Sequence, residues 1–219
     1  MREPFERRLA LLLFVSLLAA CGGSSSPAGP TPSSYVIPAA DLADMLAEKV
    51  MGNASAPVTM YEYSSLTCPH CSTFHLGTFP QVKAAYIDTG KVKFVYRDFP
   101  VPGASTSEVA YAGAAVARCA GSARYFEALD LLYRAQGTWV STSTPLAALK
   151  QAMAPLGLPS EKMDACMSSV EIRNEITRVA ADARAAYGVG GTPTVVINGQ
   201  KVEASFTGID AVLRELTAR

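Results

Sequence analysis

Residues 58–71 read VTMYEYSSLTCPHC, a strand-like run followed by two cysteines that lie three positions apart. The run over residues 58–63 is rich in β-branched and aromatic side chains, which predicts a strand. Pro69 suits the first turn of a helix, because no backbone N–H is needed there. The sequence therefore predicts a strand that leads into a helix, with Cys68 and Cys71 where the helix starts. A Cys-x-x-Cys motif at such a junction is typical of a thiol–disulfide redox site.

The flanking sequence alternates between strand and helix patterns, with one long helical block between them. The expected elements, in chain order, are a helix at 39–51, strands at 58–63 and 91–96 around a helix that breaks near Pro80, an all-helical block at about 104–187, strands at 194–197 and 201–203, and a helix at 210–217. Asn198-Gly199 predicts a tight turn between the last two strands. The predicted fold class is α/β, with an all-helical insertion between a β-α-β half and a C-terminal β-hairpin-helix half.

The composition limits the classes of protein that this chain can be. Its 219 residues are 49% hydrophobic and 17% charged, which is typical of one globular domain with room for an inserted sub-domain. Lys+Arg and Asp+Glu both number 19, so no charge imbalance indicates a nucleic-acid partner. The longest apolar run, residues 9–20, is shorter than the roughly 20 residues of a membrane-spanning helix. These features exclude a multi-span membrane protein.

The first residues have the pattern of an export signal. Basic residues precede the apolar run, and LAAC at residues 18–21 follows as its end. This ending resembles the lipobox of bacterial lipoproteins, in which the cysteine is acylated and becomes the mature N-terminus. Residues 22–34 read GGSSSPAGPTPSS, which cannot build a core and predicts a tether. The alternative is an ordinary signal peptide followed by an unrelated cysteine. The expected division of the chain is a lipoprotein signal peptide at 1–20, lipidated Cys21 and its tether at 21–37, and the folded domain at 38–219.

Export changes the interpretation of the five cysteines, because disulfides form and persist outside the cytoplasm. Cys21 is assigned to lipidation, and Cys68 and Cys71 form the close pair. Cys119 and Cys166 remain, both in the predicted helical block, and we expect them to form a structural disulfide. Two buried free thiols are the alternative for this last pair.

The close pair has the chemistry of disulfide exchange. A cysteine at a helix N-terminus faces unpaired N–H groups that favour its thiolate, so Cys68 is predicted to be the attacking sulfur and Cys71 the resolving one. A partly protonated His70 between them would favour the Cys68 thiolate further. The motif has two other interpretations. Half a zinc site is disfavoured because four ligands are needed and the chain has only two histidines. A structural staple is disfavoured because so short a loop gains little from closure.

These features together resemble a known family. Glu62 on its strand, Cys68-Pro69-His70-Cys71, the helical insertion and Gly191-Thr192-Pro193-Thr194 resemble the DsbA-type thiol:disulfide oxidoreductases over residues 38–219. The resemblance implies a thioredoxin fold with a helical insertion, a cis-proline beside the active site, and oxidation of exported proteins. No cofactor and no metal are expected.

The resemblance also assigns residues around the cysteine pair. It implies that Pro193 is the cis-proline and that the main chain of Thr192 binds an extended substrate segment as an added strand. An ordinary trans proline at the start of a strand is the alternative. Glu62 shares a strand face with Val58 and Met60, so burial would raise its pKa and let it relay a proton to or from Cys71. A solvated strand charge is the alternative for Glu62.

The predicted function is an exported, lipid-anchored enzyme on the periplasmic side of a bacterial membrane, which introduces disulfides through Cys68 and Cys71. Its expected partners are exported cysteine-containing proteins and a membrane redox partner that reoxidises or reduces the pair. We expect a monomer that binds no nucleic acid. A reductase or isomerase of the same fold is the first alternative, because Thr192 precedes Pro193 here and a threonine precedes the corresponding proline in isomerase-like relatives. A tethered chaperone or copper metallochaperone is the second.

We predict that the mature N-terminus is an acylated Cys21. The chain expressed in a bacterial host should be found in the membrane fraction, and mass spectrometry of its first peptide should show the added acyl mass on Cys21. Cys21→Ser should abolish both, because serine cannot form the thioether. A mature N-terminus that carries an unmodified Cys21, or that begins after it, would contradict the prediction.

Overall fold

The computed structural model describes residues 35–218. The predicted signal peptide, Cys21 and most of the tether lie outside these residues. Within the described part of the chain, no helix combines the length and the apolar character that crossing a bilayer requires.

Five strands form one mixed sheet. They are β1 (Lys49–Met51), β2 (Val58–Ser64), β3 (Val92–Asp98), β4 (Thr194–Ile197) and β5 (Gln200–Val202), in the spatial order β1-β3-β2-β4-β5. Strands β2 and β3 are parallel, and the other three neighbouring pairs are antiparallel. Strand β2 is therefore central, and the chain that leaves its carboxyl end carries the Cys-x-x-Cys motif.

The helices flank the sheet and form the predicted insertion. They are α1 (Ala39–Leu46), α2 (Pro69–Thr73), α3 (Phe79–Val82), α4 (Ser107–Cys119), α5 (Tyr125–Arg134), α6 (Gln136–Trp139), α7 (Pro145–Ala152), α8 (Ser160–Ser168), α9 (Val170–Tyr187) and α10 (Phe206–Thr217). Helices α4 to α9 lie between β3 and β4. The predicted α/β fold, with an all-helical insertion ahead of a hairpin and a closing helix, is confirmed.

The helix predicted over residues 39–51 is wrong at its end. Helix α1 stops at Leu46, and Lys49–Met51 instead form edge strand β1, which pairs antiparallel with β3 through Val50 and Val95. A short apolar pattern fits a helix or a strand equally well, and here the available sheet edge decides between them. The sequence therefore missed the fifth strand.

The helical segment that begins at Pro69 is continuous to Ile87, but its hydrogen bonding changes three times. π-Helical turns at Phe74–Thr78 and Lys83–Ile87 alternate with α2 and α3. Pro80 lies in the first turn of α3 and has no N–H to donate, so the backbone hydrogen bonds change from the π-helical to the α-helical pattern just before it. The predicted break near Pro80 is thus a change of helix type and not an interruption.

Apolar side chains cover both faces of the sheet. On one face, β-strand residues such as Met60 and Phe94 pack with α3, α10 and the insertion residues Leu129 and Trp139 in the largest core cluster. On the other face, Tyr63 and its neighbours pack against α9. The insertion therefore shares the core of the strands, and its helices are positioned against the sheet by buried apolar contacts.

Cys119 and Cys166 are joined by a disulfide that links the end of α4 to α8. Both are fully buried, in a cluster that also holds Met45, Ile172 and Ile176. The bond closes a loop with a sequence separation of 47 residues, entirely inside the insertion. It therefore fixes α4, which packs through Gly113 against Leu66 ahead of the Cys-x-x-Cys motif, to α8.

We predict that the double substitution Cys119→Ala/Cys166→Ala lowers the free energy of unfolding by up to about 4 kcal/mol. The chain-entropy relation gives this value for a loop of this length, because the cross-link restricts the unfolded chain. Denaturant unfolding of the wild type and the variant, both with Cys68 and Cys71 intact, measures the difference. A change of less than about 1 kcal/mol would show that the bond contributes little.

Candidate active site

The backbone places Cys68 directly in front of a helix. Strand β2 ends at Ser64, and Cys68 adopts an extended conformation as the residue that caps α2, with Pro69 in the first turn. The N–H groups of Cys71 and Ser72 donate to the Cys68 carbonyl at 3.1 and 3.2 Å, which fixes the start of the helix. The structure shows the reduced pair, with Cys68 half-buried and Cys71 fully buried.

The surroundings of Cys68 favour its thiolate. A hydrogen bond from the Cys71 side chain is the largest influence, and it helps to lower the pKa of Cys68 to about 5. Partial burial opposes this effect, while the Thr192 side chain and the backbone N–H groups of Cys71 and His70 reinforce it. The backbone N–H of His70 thus contributes to this effect, and the residue itself is exposed to solvent.

Cys71 has the opposite character. Burial, and then its hydrogen bond to Cys68, raise the pKa of the Cys71 thiol well above its ordinary value. The backbone N–H of Ser65 donates to its sulfur at 3.5 Å, which offsets only part of the penalty. At neutral pH the reduced pair therefore consists of a Cys68 thiolate that accepts a hydrogen bond from a Cys71 thiol. Only the first sulfur can attack a disulfide from solvent.

The loop before β4 forms the other side of the site. The Thr192–Pro193 peptide bond is cis, and the Thr192 carbonyl oxygen lies 3.4 Å from the Cys68 sulfur, within reach of a thiol proton. The Thr194 hydroxyl donates to the Gly191 carbonyl at 2.8 Å and holds this loop. The structure thus brings Thr192 and Pro193 to Cys68, across 124 residues of sequence.

Glu62 lies on the buried face of β2, two residues before the strand ends at Ser64. Its side chain is fully buried, and neither carboxyl oxygen has a hydrogen-bond partner of normal geometry. Burial raises the pKa of Glu62 to about 8, and the nearby Ser64 side chain opposes that rise without making a regular hydrogen bond. The alternative of a solvated strand charge is therefore wrong, and Glu62 carries a proton at neutral pH.

The insertion holds the active-site loop, which the sequence did not predict. The Gln136 side-chain amide donates to the carbonyls of Leu66 and Cys68 at 2.8 and 3.0 Å. The Ser72 hydroxyl donates to the Tyr133 carbonyl at 3.3 Å. A lone glutamine within the predicted helical block gave no signal of this role, since only the folded chain brings it to residues almost 70 positions earlier.

The other histidine, His75, lies in the core. His75 is buried between the rings of Phe79 and Tyr133, and burial lowers its pKa to about 4. It is therefore a neutral side chain of the core. Among residues 35–218, no group of three or more His, Cys, Asp or Glu side chains is arranged to hold a metal ion.

Comparison with known proteins gives the family. A family model described as thioredoxin matches residues 45–214. A putative protein-disulfide oxidoreductase of Rickettsia felis is 29% identical over 77% of this chain and 61% of its own length. A probable disulfide bond formation protein D of Bacillus anthracis is 27% identical, over 77% and 78%. The crystal structure of Wolbachia pipientis alpha-DsbA1 superposes with a TM-score of 0.68 at 26% identity, and covers 78% of this chain and 91% of its own.

The chain therefore belongs to the thioredoxin family, of which it is a DsbA-like member. It spans about three fifths of the length of the Rickettsia felis relative.

We predict that Cys68 titrates near pH 5 in the reduced protein. The ultraviolet absorbance of the thiolate should rise through a single transition there, and the transition should vanish in Cys68→Ser. Because the folded-state pKa is depressed, the stability that Cys68 adds to the reduced form is complete above the unfolded value of about 8.5 and is lost as the pH falls through about 5. Above pH 8.5 the raised pKa of the buried Cys71 has the opposite effect and lowers the stability of the reduced form. A midpoint near 8.5 would contradict the prediction.

We predict that Glu62→Gln stabilises the protein at high pH. The pKa of Glu62 in the folded protein is raised. Its contribution to the stability of the fold is therefore complete at pH values below its ordinary pKa of 4.5, and it is lost as the pH rises through about 8. The gain in unfolding free energy should grow from near zero at about pH 4 to roughly 2–4 kcal/mol at about pH 8. Denaturant unfolding at several pH values measures it, with the exposed Glu215→Gln as control. A pH-independent difference would refute the raised pKa.

Proposed function

We propose that this protein is a thiol:disulfide oxidoreductase that introduces disulfides into exported proteins through Cys68 and Cys71. The observation that carries the proposal is the opposite ionisation of the two sulfurs, with the pKa of Cys68 lowered to about 5 and that of Cys71 raised. The names of the Rickettsia and Bacillus relatives, which describe disulfide oxidoreductases and disulfide bond formation, support it.

The proposed reaction has two exchange steps. A substrate thiolate attacks the Cys68 sulfur of the oxidised enzyme, forms a mixed disulfide, and displaces Cys71 as a thiolate that takes up a proton. The thiolate of a second cysteine in the same substrate then attacks the first substrate sulfur in the mixed disulfide and displaces Cys68. The substrate gains one disulfide, and the enzyme receives two electrons and is left with two reduced cysteines.

The direction of exchange follows from the same electrostatics. Each group that stabilises the Cys68 thiolate stabilises the reduced protein relative to its disulfide, which makes the disulfide a stronger oxidant. Thr192 supports the second candidate, a reductase or isomerase of the same fold, because threonine precedes the cis-proline in isomerase-like relatives. The two candidates differ in which redox form is the more stable.

The proposal extends to partners and location. The Thr192 main chain beside the Cys68 sulfur suits an extended substrate segment, which would add to the sheet there. A membrane redox partner would return the pair to the disulfide form. The LAAC sequence at residues 18–21 and the tether after it support a lipid anchor at Cys21 that holds the domain on the periplasmic side of a bacterial membrane. We propose that the enzyme acts there as a monomer.

The test is oxidation of a reduced, unfolded protein that contains two cysteines. The oxidised enzyme, in stoichiometric amount, should transfer its disulfide rapidly and be recovered with two free thiols. Cys68→Ser and Cys71→Ser should each abolish transfer, because neither variant can form the Cys68–Cys71 disulfide that the enzyme donates. Cys119→Ala/Cys166→Ala is the matched control and should retain transfer. An enzyme that leaves the reduced protein unoxidised, but reduces disulfides when supplied with electrons, would overturn the proposal in favour of the reductase.

A further inference from the structure

Three buried hydroxyl groups form a continuous chain beneath the cysteine pair. The Ser64 hydroxyl is hydrogen-bonded to the Tyr133 hydroxyl at 2.9 Å, and the Tyr133 hydroxyl to that of Tyr96 at 2.8 Å. Each of the three residues is only 1% exposed. They come from β2, from helix α5 of the insertion, and from β3. Buried hydroxyls of this kind have restricted rotation, so their protons are held in defined directions.

Ser64 is next in the chain to the residue that contacts Cys71, and it lies on the same strand as Glu62. It follows Glu62 by two residues on the same strand, so both side chains point to the same face of the sheet. The next residue, Ser65, donates its N–H to the Cys71 sulfur. Glu62 and Tyr96 are register partners across β2 and β3, so their side chains leave neighbouring positions of the sheet.

We propose that Ser64 relays a proton between Glu62 and Cys71, and that Tyr133, held by Tyr96, is a positioning residue that orients the Ser64 hydroxyl for this transfer. The helical insertion therefore contributes to the chemistry through Tyr133, besides supporting the active-site loop. This inference rests on the proposed function, since it assigns the proton that the exchange reaction requires.

The relay accounts for the proton in the first exchange step. A thiolate from the substrate forms a bond with the Cys68 sulfur, the bond between Cys68 and Cys71 breaks, and its electron pair goes to the Cys71 sulfur. Ser64 donates its hydroxyl proton to that sulfur and takes a proton from the Glu62 carboxyl group. The products are a mixed disulfide, a Cys71 thiol and a Glu62 carboxylate. Reoxidation of the pair runs the transfer in reverse.

The electrostatics of the site agree with this geometry. The Ser64 side chain lies close enough to both groups to lower the pKa of Glu62 and that of Cys71, in each case against the larger effect of burial. Glu62 is protonated at neutral pH and can donate its proton. A buried Cys71 thiolate is strongly disfavoured, so it readily accepts a proton. No bulk water needs to enter the core for the transfer.

Other ionisable groups face this cluster without joining it. His75 packs against the Tyr133 ring and stays neutral above about pH 4. Tyr125 lies on the same helix as Tyr133 and is equally buried, but its hydroxyl donates to Asp98 at 3.2 Å, and Asp98 is paired with Arg118. Tyr125 is therefore a matched control for Tyr133, since it has the same side chain, helix and burial but lies outside the hydroxyl chain.

The test measures how fast a small dithiol, dithiothreitol, cleaves the Cys68–Cys71 disulfide of the oxidised full chain, by acid quench and alkylation in H₂O and D₂O. Ser64→Ala should slow cleavage about tenfold or more at neutral pH and remove most of the solvent isotope effect, because the general acid is lost. Tyr133→Phe should slow it about threefold to tenfold, and Ser64→Thr should restore most of the rate. Tyr125→Phe should stay within about twofold of the wild type.

The relay is refuted if Ser64→Ala and Tyr133→Phe match Tyr125→Phe in both rate and isotope effect. If Ser64→Ala does not fold, Tyr133→Phe decides the question, since it removes only one hydroxyl. This test is separate from the proposed direction of exchange, because dithiothreitol replaces the protein substrate. A wild type that fails to oxidise a reduced protein but shows the Ser64-dependent isotope effect would remove the proposed function and leave the relay intact.

Discussion

The site depends on the pairing of two cysteines whose sulfurs lie in unlike environments. The Cys71 sulfur is sealed in the core beside β2, while the Cys68 sulfur lies half-exposed in front of α2. Burial keeps the first protonated, and its proton stabilises the thiolate of the second. Because charged and neutral sulfurs are held at fixed positions, the reduced state is favoured electrostatically before any substrate arrives. The ends of the central strand, the helix start and the loop at Thr192 all serve to hold this one contact.

The helical insertion is part of this arrangement. Gln136 fixes the carbonyls of Leu66 and Cys68 and so sets the path of the chain into the active-site helix. Trp139 packs so closely on Gly113 that a side chain at that glycine would collide with the indole, and Leu66 lies against the same point. The loop that carries Cys68 is thus pressed against the insertion on one side and bounded by the cis-proline loop on the other.

Local sequence patterns predicted those features that depend on neighbouring residues. The run at 58–63 corresponds to β2, the Pro69 helix start to α2, and the helical block at 104–187 to helices α4–α9. Strand β1 was missed because a short apolar stretch is ambiguous until a sheet edge is present. The hydroxyl chain and Gln136 were also missed, since Ser64 and Tyr133 are 69 residues apart and no local rule relates them. Hydrogen bonds across such distances arise only when the insertion docks on the sheet.

The most direct test of this account is the reduction potential of the Cys68–Cys71 pair, measured by equilibration with glutathione at neutral pH. Stabilisation of the Cys68 thiolate should make the pair strongly oxidising, with a potential less negative than the roughly −180 mV of protein disulfide isomerase. Cys119→Ala/Cys166→Ala should have the same potential, because those cysteines lie outside the site. A potential near the roughly −270 mV of thioredoxin would contradict the account, because it would mean that the thiolate contributes nothing to favour the reduced state.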